Sequence, residues 1–307
     1  MLYEYAVEPC AIASSWQTCR YLSEKFGFDR ARLLSLYPNK WLTLAIEAAE
    51  GLPDVEKKTV TERLIKLKRD ASIKSGRNYD PALNDWLRNA ILQQTVAPFR
   101  AIVASSNPSA HAFVLKADEI EEASPLMAAP HDFEVKRVAK DIAGAMSLLL
   151  GSANTILFVD AYYDPFNAKY QNTMRECLKI VRAENHQAVC EVHHLDHERC
   201  PSAAAIEREA RQKFSGVIPD DMTITIYRWR QKQGGADFHA RYLLTDRGGI
   251  RVDAGFSAEG GSENTDMSLM DVALSQEKRR ALDRTAAVYE LVEPVLRIAS
   301  TGRVEHI

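Results

Sequence analysis

From Gly151 onward the chain repeats one pattern, a short apolar run, a polar turn and an amphipathic helix, and that alternation restricts the fold more than any other feature. Thr155 to Val159 is a nearly continuous apolar run, as a strand covered on both faces requires. Asp160, Tyr162 and Asp164 lie just past its carboxyl end, where α/β sheets place ligand-contacting residues or a loop that caps the next helix. Helical spacing follows from about Ala168 to Ala183 and from Ser202 to Phe214. Strands are expected from Ala188 to Leu195, from Met222 to Tyr227, from Phe238 to Leu244 and from Ile250 to Ala254. Strands that alternate with helices in this way predict an α/β sandwich around a largely buried sheet.

The earlier part of the chain reads differently. Pro9 to Phe26 and Lys40 to Ala49 carry apolar residues at helical spacing, and Asp54 opens a run through Val60, Leu64 and Leu67. Asp80-Pro81 pairs an N-cap with a proline at the first helical position. Phe99 to Ala104 and Ala112 to Lys116 read as two strands. Pro125 to Pro130 is the natural linker, and His131-Asp132 opens a helix whose buried stripe is Phe133, Val135, Val138, Ile142, Ala145, Met146 and Leu149. We therefore expect a mainly helical N-terminal region over residues 1–128, available to a partner protein, and a second domain over 129–307.

The chemistry concentrates in Phe238-His239-Ala240-Arg241-Tyr242-Leu243-Leu244-Thr245-Asp246, followed by Gly255-Phe256-Ser257, Asn264 and Ser268. On a strand, His239 and Arg241 point to the same face, because side chains alternate with period two. The spacing His-x-Arg-x4-Asp resembles the His-x-Lys-x4-Asp signature of the phospholipase D superfamily, in its nuclease-like branch with one motif per chain. The resemblance covers roughly the second half of the chain. It implies a phospholipase D-like αβα sandwich with a mixed sheet.

It also implies a phosphodiesterase in which His239 attacks phosphorus or protonates the leaving oxygen. Arg241 would then clamp the phosphate, Asp246 would be an orienting carboxylate, and Ser257 and Asn264 would donate to phosphate oxygens. Arg241 stands where the family has lysine; its fork still grips phosphate but cannot trade protons. Phe256 displaces the usual hydroxyl residue, and Asp271 is the nearest candidate for the glutamate that the family places downstream. Because the family reaction needs two histidines and the chain has one motif, a homodimer that apposes two copies of His239 is expected. The histidine pair replaces a metal-activated water, so neither metal nor cofactor is expected.

Nucleic acid is the expected partner on local rather than global charge. The net charge is −3, but Arg228, Arg230, Lys232, Arg241, Arg247 and Arg251 cluster with Tyr227, Trp229 and Tyr242. Lys and Arg with interleaved aromatics suit single strands, and Arg228 and Arg230 are the added phosphate contacts. His186, Cys190, His193, His194, His197 and Cys200 share one window, yet alternation on a strand sends Cys190 and His194 to one face and His193 to the other, which disfavours zinc.

Five cysteines, an odd number, and an acid in the opening Met-Leu-Tyr-Glu-Tyr point to the cytoplasm. No stretch approaches the roughly 20 apolar residues that span a bilayer. The rival expectation is a catalytically silent subunit of the same fold that binds nucleic acid or partner proteins, for example in a bacterial defence or DNA-processing complex.

Overall fold

The sheet of the N-terminal unit is built on β1 (Tyr3–Val7), whose residues Tyr5, Ala6 and Val7 are fully buried on both faces of the strand. A computed structural model describes every residue except Met1, Glu122, Arg199, Ala286 and Ala287. It divides at His131/Asp132 into two units.

In the first unit β1 leads through α1 (Pro9–Ile12) and α2 (Trp16–Ser23) to β2 (Arg32–Leu36). Helices α3 (Trp41–Ala48) and α4 (Asp54–Ala71) lead to β3 (Ser72–Lys74), and α5 (Trp86–Gln93) to β4 (Ala101–Ala104) and β5 (Val114–Lys116). The strands form one parallel sheet in the order β3-β2-β1-β4-β5. Tyr5 and Val7 join the core that contains Ala45, Leu64 and Leu67 of α3 and α4, whereas Ala6 and Ile102 join a second core with Ala90 of α5.

This unit is therefore α/β rather than mainly helical. β1 and β2 are buried at consecutive positions, so neither shows the period-two signature of a half-exposed strand. Asp80 and Pro81 open only a single tight turn, and the helix itself begins at Trp86 beneath Asp85, whose carboxylate accepts from the Arg88 N–H.

The second unit opens on β6 (Asp132–Lys136), where a helix was expected. Phe133 and Val135 fit both spacings, but they face one side of a strand paired antiparallel with β12 (Asn264–Leu269), and helix begins only at α6 (Ala139–Ala145) and α7 (Ser147–Ser152). β7 (Thr155–Val159), α8 (Ala168–Asn185), β8 (Val189–Leu195), α9 (Ala203–Lys213) and β9 (Thr223–Arg230) follow the predicted alternation. β7, β8 and β9 run parallel. The antiparallel β10 (Tyr242–Thr245) and β11 (Gly249–Val252) extend the sheet toward β12, and α10 (Val272–Ala281), β13 (Glu290–Ala299) and β14 (Val304–His306) complete the unit.

The nine strands lie in the order β14-β13-β9-β8-β7-β10-β11-β12-β6, a mixed sheet with β7 at its centre. Leu157, Val159, Trp229 and Leu244 form a core with Leu282 just beyond α10, while Ile156, Phe158 and Leu243 are buried on the other face. Among the described residues no helix is long and apolar enough to cross a membrane.

Candidate active site

The site grows from the carboxyl end of the central strand. β7 stops at Val159 and the next residue, Asp160, is 1% exposed. Its carboxylate accepts from the backbone N–H of Tyr162 at 3.0 Å and of Phe256 at 3.2 Å, and Arg241 Nε stands 3.6 Å away. Burial raises this carboxyl above its ordinary range, against the pull of both N–H donors and of Arg241. Gly255 closes the arrangement at φ +73°; a Cβ there would strike the Asp160 carboxylate and stand 2.6 Å from Arg241 Cδ. Only glycine fits this close approach without strain.

Arg241 is fixed from a second direction by a 2.7 Å bond from Nη1 to the Asp253 carbonyl. Its guanidinium lies 5.8 Å from the centroid of the Tyr162 ring. The His239 ring meets the same phenol edge to face at 6.1 Å, and His197, two residues beyond β8, does so at 5.9 Å. Tyr162 and His239 are exposed and His197 is half-buried, so an arginine and two imidazoles surround one aromatic ring at an open rim. Below it, burial raises the phenols of Tyr163 and Tyr170, and the Cys200 thiol is pushed up to about 11, which keeps it protonated.

Two predicted geometries change. The motif strand begins at Tyr242, because its pairing partner Val159 is the last residue of β7. His239 and Arg241 therefore lie upstream of the strand, and the ring of Tyr162 brings them together rather than alternation. Asp246 lies at the other end of β10, about 13 Å of extended chain away. There it accepts from the Asn154 N–H at 2.8 Å, the Asn154 side chain at 3.0 Å and the Thr155 N–H at 3.1 Å. Asp271 sits at that same far end, where it caps α10 by accepting from Ala273 and Leu274 N–H. The carboxylate beside Arg241 is Asp160, which the sequence marks only as a residue past a strand end.

The expected phosphate donors are mostly engaged elsewhere. Ser257 is buried and its hydroxyl accepts from Arg137 Nη2 at 2.5 Å, in a lock that includes Glu259, Glu263 and Lys169. Asn264 is exposed at the start of β12, at the site's end of the sheet. Arg228 and Arg230 both grip Asp196, at 3.1 and 3.0 Å, and Arg228 also reaches the Glu293 carbonyl.

The interleaved aromatics are internal. Trp229 is buried and donates from Nε1 to His193 Nδ1 at 3.0 Å, and Tyr227 stacks on the His193 ring at 4.7 Å. Cys190 and His194 share one face of β8 and His193 the other, and among the described residues no group of three or more His, Cys, Asp or Glu is arranged to hold a metal.

No family model matches the chain, and no curated protein matches it. Among solved structures it is similar to TrmBL2, an archaeal chromatin protein whose structure shows a novel mode of DNA binding. That similarity has a TM-score of 0.29 and 13% identity, and covers 57% of this chain and 58% of the other.

Proposed function

We propose that the second unit is a phospholipase D-like sandwich that hydrolyses a phosphodiester of nucleic acid, with His239 as nucleophile and Arg241 as phosphate clamp. The observation that carries this is the fixed guanidinium of Arg241, held by Asp160 and the Asp253 carbonyl beside an exposed imidazole. A guanidinium held at Nη1 by the Asp253 carbonyl and at Nε by Asp160 keeps further N–H donors for a phosphoryl oxygen. The rim is open rather than enclosed, which suits a polymer, and the exposed Tyr162 ring offers a face for a base or sugar.

A guanidinium clamps phosphate without trading protons, so proton transfer falls to imidazole. The motif alone supplies one histidine, and the reaction needs a second imidazole.

A silent binding subunit is the second assignment, favoured by the ion pair that already occupies one edge of Arg241. The two separate on incubation with single- and double-stranded DNA, RNA and a bis-aryl phosphodiester, in EDTA, beside His239→Ala and Arg241→Lys. Turnover that survives EDTA and disappears in His239→Ala is expected, with weaker substrate binding in Arg241→Lys. Salt-sensitive nucleic-acid binding without any turnover overturns the enzyme in favour of the binding subunit.

A further inference from the structure

We infer that His197 is the second catalytic imidazole, supplied by the same chain as His239, so that the site is complete within one protomer; the inference rests on the phosphodiesterase assignment. β7 and β8 are parallel neighbours with Val159 beside His193, so both strands release their next residues at one edge. The Asp160 N–H bonds to the His193 carbonyl at 3.0 Å, and the Leu195 N–H bonds to the Ala161 carbonyl at 3.2 Å. These bonds stitch the turn that carries Tyr162 to the segment that leads into His197.

Asp196, the residue before His197, is held by Arg228 and Arg230 and by its own N–H to the Trp229 carbonyl. The position of His197 is thus set by the sheet. Its ring and that of His239 stand nearly perpendicular to the Tyr162 ring, at 83° and 86°. His197 touches the same ring that Arg241 overlies.

In the reaction the neutral His239 uses a ring-nitrogen lone pair to form a bond to phosphorus. The bond from phosphorus to the leaving oxygen breaks, its electron pair goes to that oxygen, and the His197 imidazolium gives up its proton there. The alcohol product departs and leaves a phosphohistidine. Water then attacks phosphorus while neutral His197 takes its proton, and the phosphorus–nitrogen bond returns its electron pair to His239. The sum is phosphodiester plus water to phosphomonoester plus alcohol, with both histidines restored.

An acid at the leaving oxygen matters for an alkoxide and little for a nitrophenolate, which departs unprotonated. His197→Gln should therefore lose about 10²-fold or more in oligonucleotide cleavage, yet keep the nitrophenolate burst from bis(4-nitrophenyl) phosphate, which also shows that the variant folds. Specific activity of the wild type should hold on dilution through the dimer range, and a mixture of His197→Gln with His239→Ala should stay inactive. Oligonucleotide cleavage by His197→Gln at the wild-type rate, or activity restored by mixing, overturns the single-protomer site. If the wild type yields neither nitrophenolate nor cleaved oligonucleotide, the phosphodiesterase assignment itself falls and takes this inference with it.

Discussion

The two ends of β10 each meet a carboxylate, and the two are built for opposite tasks. Asp160, at the end where Arg241 enters the strand, is buried, raised in pKa, and shares its oxygens with two backbone N–H groups and a guanidinium. Asp246, at the other end, is exposed and accepts from Asn154 and Thr155, where it fastens the start of β7. Proximity in sequence to a histidine therefore says little about proximity in space. A strand of only four residues is enough to carry a motif carboxylate away from the chemistry.

The exposed imidazole at the first end should therefore set the rate with little effect on stability, and Asp246 at the second end should affect stability alone. The largest effect belongs to His239→Ala, which should lower phosphodiester turnover by about 10²–10⁴-fold. Its thermal midpoint should stay within a degree or two of wild type, about what an exposed side chain contributes. A matching loss of folded protein in circular dichroism would mean that His239 is structural.

Gly255→Ala comes next and tests whether the active end is as tightly built as its contacts imply. The methyl group meets the Asp160 carboxylate and Arg241 Cδ at a positive φ, so a destabilisation of about 2–4 kcal/mol in urea unfolding is expected, from left-handed strain plus overpacking. A variant as stable as wild type would show that Asp160 and Arg241 can move apart freely.

Much of this unit was legible because its local signals agree. β7, α8, β8 and α9 each carry the right period, and buried neighbours then enforce it. β6 was hidden because Phe133 and Val135 begin a stripe that a helix could also use, and pairing with β12 decides the matter only in three dimensions. β1 and β2 of the first unit were hidden by burial on both faces, which erases alternation.

At the site, His239 and Arg241 announced themselves by spacing. Asp160 and Tyr162 were visible as residues past a strand end, but their link to Arg241 depends on β10 lying beside β7. His197 looked like part of a metal-like window, and only the parallel pairing of β7 with β8 brings it to Tyr162.

His194 sharpens the contrast from within β8. It lies three residues before His197, but it is fully buried, and desolvation lowers its pKa from about 6.5 to about 4. Nδ1 faces the Leu195 carbonyl at 2.8 Å, and Nε2 is buried with no hydrogen-bond partner among the described residues. The folded state thus binds fewer protons than the unfolded state between those values. The stabilisation is complete above pH 6.5 and is lost as pH falls toward 4, by up to about 3 kcal/mol. In urea unfolding at pH 7 and pH 4.5, His194→Leu should lose less stability on acidification than wild type, while carboxylate titration common to both proteins cancels.

The smallest effect tests the anchoring end. Asp246→Ala removes three hydrogen bonds from an exposed carboxylate, and water can replace part of what is lost, so about 1–2 kcal/mol is expected. Because Asp246 bonds to the start of β7 and lies at the far end of β10 from His239, KM for a phosphodiester and the pH profile should stay unchanged at temperatures well below the midpoint. The opposite pattern, a shifted pH profile with stability intact, would mean that Asp246 acts on His239 through the length of β10. Asp160 would then lose its standing as the carboxylate that sets the site.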